Sequence, residues 1–127
     1  MKVEGGVVLD AGAFIAAEDR DRTMVALTQL FVASSTPLVT SAGVVAQVWR
    51  DGGHRQVPVA YLLKRTEVVD LSRAVARALG RMLGVSGTRD VVDAHVVFLA
   101  RERGWPILTS DTDDLRAIDP TIETEHV

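Results

Sequence analysis

The chain contains no cysteine. Disulfides, a thiol nucleophile and cysteine-ligated zinc are therefore excluded, and the absence fits a reducing cytosol. Histidine is scarce: His54, His95 and His126 are the three in 127 residues, and their positions show no metal-ligand spacing. Basic charge is not in excess, with 14 Lys and Arg against 17 Asp and Glu and a net charge of −3. A protein that coats nucleic acid by charge alone is excluded on that balance. Enzymatic contact with nucleic acid is not, because a metal can supply the positive charge. No apolar run approaches the roughly 20 residues that a membrane-spanning helix requires. The N-terminus, Met1-Lys2-Val3-Glu4-Gly5-Gly6, leads into a short apolar strand and then an aspartate, without the apolar region of a signal peptide. A soluble, cytoplasmic protein with no membrane partner is expected. Internal repeats, low-complexity stretches and linkers are missing as well.

What remains is a chain of 127 residues, 47% hydrophobic. That length suits one domain, over residues 1–127, with a core large enough to need no staples. The apolar content also points to surface covered by a partner.

Short β-branched runs alternate with helical patterns. Val7-Val8-Leu9 reads as a buried parallel strand, followed by a short helix at 11–17 and a second at about 22–34 with Met24, Leu27, Leu30 and Phe31 on one face. Leu38-Val39-Thr40 is a second strand, and Ser41 caps a helix expected to reach Asp51, ended by Gly52-Gly53. Helix 57–64 and a third strand at Val68-Val69 follow. The next helix is expected to start at Asp70 or Leu71 and to end in a loop marked by Gly84 and Gly87. Thr88 is the expected cap of a helix over 89–103. Residues 105–109 form a fourth strand, Asp111 opens a short helix, and Ile122 lies in an edge strand. This alternation requires an α/β fold with a mostly parallel sheet and helices on both faces.

Two strands end in an aspartate, Val8-Leu9-Asp10 and Leu108-Thr109-Ser110-Asp111. In an open parallel sheet the C-terminal strand ends line the ligand crevice. A third, Asp93, lies within the apolar run Val91–Val97, with Asp90 one turn before it on the same helix face. An aspartate among valines costs several kcal/mol unless paired or bound to a cation. Asp113 and Asp114 sit just beyond Asp111. Each of these aspartates taken alone also reads as a helix cap or a first-turn acid. Gathered at one crevice, they would need a hard divalent cation between them, Mg²⁺ or Mn²⁺ rather than Zn²⁺ given the oxygen donors. The chemistry such sites serve is phosphoryl or phosphodiester displacement.

In that order, Val8-Leu9-Asp10-Ala11-Gly12-Ala13, Thr40-Ser41-Ala42 with Val48-Trp49-Arg50, Val92-Asp93-Ala94-His95 and Leu108-Thr109-Ser110-Asp111 resemble PIN-domain proteins. More closely they resemble VapC-type toxins of bacterial type II toxin–antitoxin modules. The resemblance covers nearly the whole chain. It implies a three-layer αβα domain with a central, mostly parallel sheet of four to five strands. It also implies a Mg²⁺-dependent (or Mn²⁺-dependent) endoribonuclease that cuts RNA, often tRNA or rRNA, is silenced by a cognate antitoxin, and forms a homodimer. The family's three principal aspartates map to Asp10, Asp93 and Asp111 as catalytic metal ligands. Asp90 and Asp114 match secondary acidic positions, and Ser110 matches a small hydroxyl residue that steadies the site.

There is one departure. The family's glutamate on the helix after the second strand is replaced by Gln47, which keeps a carbonyl oxygen but loses the charge. A second reading follows from it: a catalytically weakened member that acts by binding RNA or antitoxin, with Asp90 or Asp114 as the charges available to compensate. Two other α/β classes fit poorly. A phosphoacceptor receiver would need an acidic pair after the first strand and a lysine near the last, and no lysine follows residue 64. A haloacid-dehalogenase-like phosphatase would need an aspartate where Gly12 stands. Arg73, Arg77 and Arg81 recur at i, i+4 and i+8 and read first as a solvated helix face, with phosphate binding as the other reading. Arg50, Arg55, Lys64 and Arg65 offer the same choice. His95, two residues from Asp93, reads as structural.

Overall fold

Apolar β-branched triplets that repeat along the chain set the architecture, because each can be buried on both faces only at the centre of a sheet covered by helices. The computed structural model describes residues 5–127. Met1–Glu4, the first residues of the N-terminal segment read above as lacking a leader, lie outside the described residues. The elements are β1 (Val7–Leu9), α1 (Ala11–Glu18), α2 (Arg22–Ala33), β2 (Leu38–Ser41), α3 (Ala42–Val48), a 3₁₀ turn (Gly53–Gln56) and α4 (Val57–Lys64). Then come β3 (Thr66–Val69), α5 (Arg73–Ser86), α6 (Val91–Arg103), β4 (Ile107–Thr109), α7 (Thr112–Ile118) and β5 (Thr124–His126).

The strands form one sheet in the order β3-β2-β1-β4-β5, and every pairing is parallel. Every residue of β1, β2 and β4 is buried, as expected for the inner strands. Connections from β1 to β2 to β3 run one way across the sheet, and those from β3 to β4 to β5 run the other. Right-handed crossovers then place α1–α4 on one face and α5–α7 on the opposite one. The contacts agree: α1 packs on α2, α3 and α4, and α6 packs on α5 and α7. The core joins Val7, Val8, Leu9, Phe14, Met24 and Phe31 to Val96, Val97, Ile107 and Leu108.

Between β1 and β4 the direction of winding reverses. The chain leaves β1 for one face and β4 for the other, so a crevice opens at their C-terminal ends. Asp10 follows β1 directly, and Asp111 follows β4 by two residues.

Several boundaries differ from the sequence expectation. Helix α3 ends at Val48, short of Asp51, because the buried Gln56 side chain takes over the backbone beyond it. Its Oε1 accepts from Arg50 N–H (2.8 Å) and Gly52 N–H (3.2 Å), and its Nε2 donates to Val48 O and Glu18 Oε1 (both 2.8 Å). Ser72, not Asp70 or Leu71, caps α5, and Gly84 lies inside that helix; Gly87, at φ +74°, ends it. Asp90 rather than Thr88 caps α6. Ile122 is buried but precedes the edge strand, which spans Thr124–His126.

Candidate active site

Four helices begin at the C-terminal edge of the sheet: α1 behind Asp10, α3 behind Ser41, α6 behind Asp90 and α7 behind Asp111. Capping is the ordinary use of an acid or hydroxyl at such a position. Ser41 and Asp90 are used that way. Ser41 Oγ accepts from Gly43 N–H (3.0 Å), and Asp90 Oδ1 accepts from Asp93 N–H (2.9 Å). Asp10 and Asp111 occupy N-cap positions, yet neither side chain makes a capping hydrogen bond. Their carboxyls are left for another purpose.

Asp10 is 5% exposed, and its Oδ2 accepts from the buried Thr109 hydroxyl at 2.9 Å. Thr109 Oγ1 in turn accepts from Asp111 N–H at 2.9 Å. One threonine therefore links the ends of the two strands that flank the crevice. Burial pushes the Asp10 carboxyl above its ordinary value, the Ala11 N–H and the Thr109 hydroxyl pull it back, and the charge of Asp90 pushes it up again. The close approach of α1 to the β4–α7 turn depends on Gly12. A Cβ there would stand 2.7 Å from Ser110 N and closer still to Ser110 Oγ.

Asp93 lies half-buried on the first turn of α6. Its carboxyl is pushed from 3.8 up to about 7, first by burial and then by the charges of Asp90, Asp10, Asp114 and Asp111. Asp111 is exposed, and its carboxyl is raised first by the Asp114 carboxyl beside it, with burial and the charges of Asp114, Asp10 and Asp113 adding to it. Residues far apart in sequence thus share one electrostatic field, in which each neighbouring acid pushes Asp93 and Asp111 up. Among the described residues the ion pairs are Arg55–Glu18, Arg101–Asp119 and Arg103–Glu67; none of them relieves this cluster. Nor do three His, Asp or Glu side chains among the described residues stand close enough together to form a ready-made ligand shell.

The remaining expected residues fall at different distances from this centre. Asp90 and Asp114 belong to the field that raises Asp93. Ser110 is exposed beside Gly12. Gln47 is exposed near the end of α3, and no hydrogen bond of its side chain is present among the described residues.

Sequence reasoning missed the Thr109 link and a second one. His95, fully buried, shares a 2.7 Å hydrogen bond through Nδ1 with Ser41 Oγ. The bond ties α6, two residues beyond Asp93, to the junction of β2 and α3. Burial lowers the imidazole pKa, and Nε2 has no hydrogen-bond partner among the described residues. The structural reading of His95 matches this position.

The pattern of the PIN domain family matches residues 7–119. The chain belongs to the PIN domain family. No curated protein sequence matches it. Among solved structures, a chain of VapBC2 from Rickettsia felis, bound to a DNA fragment from their promoter, has a TM-score of 0.69 and 16% identity, covering 95% of this chain and 98% of that one. A chain of FitAB bound to the IR36 DNA fragment has a TM-score of 0.63 and 16% identity, covering 94% of both. A chain of FitAcB from Neisseria gonorrhoeae gives 0.58 and 16%, covering 93% and 95%. At that identity the likeness is one of fold. It extends over nearly the full length, so the parallel sheet, the β1–β4 crevice and the helices around it form a PIN-domain architecture. No helix among the described residues is long and apolar enough to cross a membrane.

Proposed function

We infer that this PIN-domain protein is a divalent-metal-dependent endoribonuclease that acts as the toxin of a toxin–antitoxin pair. The observation that carries the reading is the field at the β1–β4 crevice, where Asp10, Asp93 and Asp111 raise one another or are raised in common and no basic side chain among the described residues is paired to them. Hard oxygen donors, two of them (Asp10 and Asp93) desolvated and the third (Asp111) exposed, fit Mg²⁺ or Mn²⁺. Asp10, Asp93 and Asp111 are the residues that would hold the ion, with Asp90 and Asp114 adding charge. A bound Mg²⁺ or Mn²⁺ supplies countercharge to the acids and Lewis acidity toward a phosphodiester.

The chain's own groups have distinct tasks in this reading. Thr109 fixes one oxygen of Asp10, leaving the other free to ligate. Asp93, its carboxyl pushed up to about 7 by burial and the neighbouring acids, would hold the ion as its carboxylate. Gly12 lets α1 and the β4–α7 turn, with Ser110 between them, approach closely enough for Asp10 and Asp111 to face one crevice. The PIN fold shared with chains of the VapBC2 and FitAB complexes supports a protein antitoxin as partner, and the family resemblance supports RNA (tRNA or rRNA) as substrate, a homodimer and a cytoplasmic setting.

Incubation of the purified protein with total RNA in Mg²⁺, in Mn²⁺ and in EDTA tests this directly, with cut ends mapped. Cleavage confined to discrete sites, present with metal and absent with EDTA, is the expected outcome; intact RNA under all three conditions contradicts catalysis. The neutral, exposed Gln47 motivates a second reading, in which the protein binds RNA or antitoxin without turnover. Metal-independent RNA binding with no cut ends would favour it.

A further inference from the structure

Helix α5 is the most one-sided element in charge. Residues 73–86 include three arginines and no acid, in a chain whose net charge is −3. Arg73, Arg77 and Arg81 are all exposed. None of them is in an ion pair with an acid among the described residues. The row spans eight residues, about 12 Å of helix, comparable to several nucleotides of a stacked strand at roughly 3.4 Å each. Because an i, i+4 row drifts around an α-helix, it turns from solvent toward the neighbouring helix α6. At Arg81 it meets a groove of about 580 Å³ between α5, α6 and α7. Met82, Phe98 and Ile118 give that groove an apolar lining, Arg81, Glu102 and the Asp119-paired Arg101 stand along it, and Val85 projects beside it at 91% exposure.

We propose that α5 and this groove hold single-stranded RNA outside the acidic crevice, with Arg73, Arg77 and Arg81 on phosphates along the strand and a base against the Phe98 side of the groove. The proposal rests on the ribonuclease reading above and extends it to how the substrate is held. An acidic crevice attracts a polyanion poorly, so substrate affinity must come from basic surface elsewhere. Unpaired guanidiniums in a row suit phosphates, and an apolar groove containing an aromatic ring suits an unstacked base. A second copy of this chain is a poorer occupant. A two-fold contact through α5 would set the same three arginines against their own copies.

The test is the binding of fluorescein-labelled single-stranded RNA in EDTA, read by anisotropy over a series of KCl concentrations. The intact chain is compared with a variant combining Arg73→Gln, Arg77→Gln and Arg81→Gln, its fold checked by circular dichroism. Loss of three phosphate contacts should make the slope of log K against log salt shallower by about 2 and weaken binding roughly 10-fold or more at a fixed salt. An unchanged slope and affinity overturns the proposal. So does equal binding of duplex RNA, which would leave the groove without a base, and so does displacement of the RNA by poly-glutamate at matched charge, which would mark an acidic protein segment as the occupant. A parallel cleavage assay in Mg²⁺ separates the two levels. The variant should show a raised KM with kcat retained. If the intact chain cuts no RNA, the nuclease reading fails, while the titration in EDTA still decides the fate of the arginine row.

Discussion

Asp93 is the residue whose environment says most. Its carboxyl sits at about 7 rather than 3.8, through burial first and like charges second. A carboxyl whose pKa is raised by folding binds its proton more tightly in the folded state. Its neutral form therefore stabilises the fold below about pH 4, and that contribution is lost progressively as pH rises through 7. In EDTA, the thermal midpoint should fall between pH 5 and pH 8, and Asp93→Asn should flatten much of that fall. At pH 8 the variant should melt roughly 2–6 °C higher than the parent, with RNA cleavage abolished. Scanning calorimetry across that pH range checks the first expectation and a cleavage assay the second. A lower melting point for Asp93→Asn at pH 8 would mean that Asp93 is paired rather than repelled. The same titration predicts that Mg²⁺ binds more tightly at pH 8 than at pH 6, with uptake of the ion releasing a proton. Calorimetry in buffers of different ionisation enthalpy reads that release.

At the scale of elements, the site is made by close approach. Gly12 lets α1 lie against Ser110, and the methyl group of Gly12→Ala would have to displace backbone as well as a hydroxyl. The expected cost is about 1–3 kcal/mol of stability, with a fall in cleavage larger than the loss of folded protein explains. Denaturant unfolding and an activity assay on the same sample separate the two effects. The Ser41–His95 bond is the second joint. Ser41→Ala removes both the α3 cap and the partner of a buried ring nitrogen, and should cost about 1–3 kcal/mol. Urea unfolding with an unchanged midpoint would show the joint to be dispensable.

The same scale shows what could be read locally and what could not. Asp10 and Asp111 were legible because an aspartate after an apolar strand in an alternating α/β pattern must stand at a strand end. Asp93 was legible because a charge inside Val91–Val97 needs a reason. Strands β1, β2 and β4 and the cap Ser41 announced themselves by composition. The end of α3 did not, because it is set by Gln56 reaching back to Val48 and across to Glu18, a contact 38 residues away in sequence. The Thr109–Asp10 and Ser41–His95 bonds, 99 and 54 residues apart, were equally invisible. Gly84 misled because it lies on the exposed face of α5 within the helix, which waits for Gly87 to adopt a left-handed conformation before it ends.

For the whole molecule the governing feature is separation of charge. Acids converge at the reversal point of the sheet, between strands whose helices depart to opposite faces, and arginines lie along α5. Gln47 departs from the acidic pattern of the family, so Gln47→Glu tests whether α3 reaches the crevice. If it does, Mg²⁺ affinity and cleavage rate both rise; an unchanged affinity removes Gln47 from the site.

In the reading proposed above, Asp10, Asp93 and Asp111 together hold the divalent metal despite their distance in the chain. Isothermal calorimetry of Mg²⁺ binding to the parent protein and to Asp10→Asn, Asp93→Asn and Asp111→Asn measures this most directly. Each variant should remain folded and lose at least ~10-fold in affinity at pH 8. Parent-like Mg²⁺ affinity in all three variants would contradict the account.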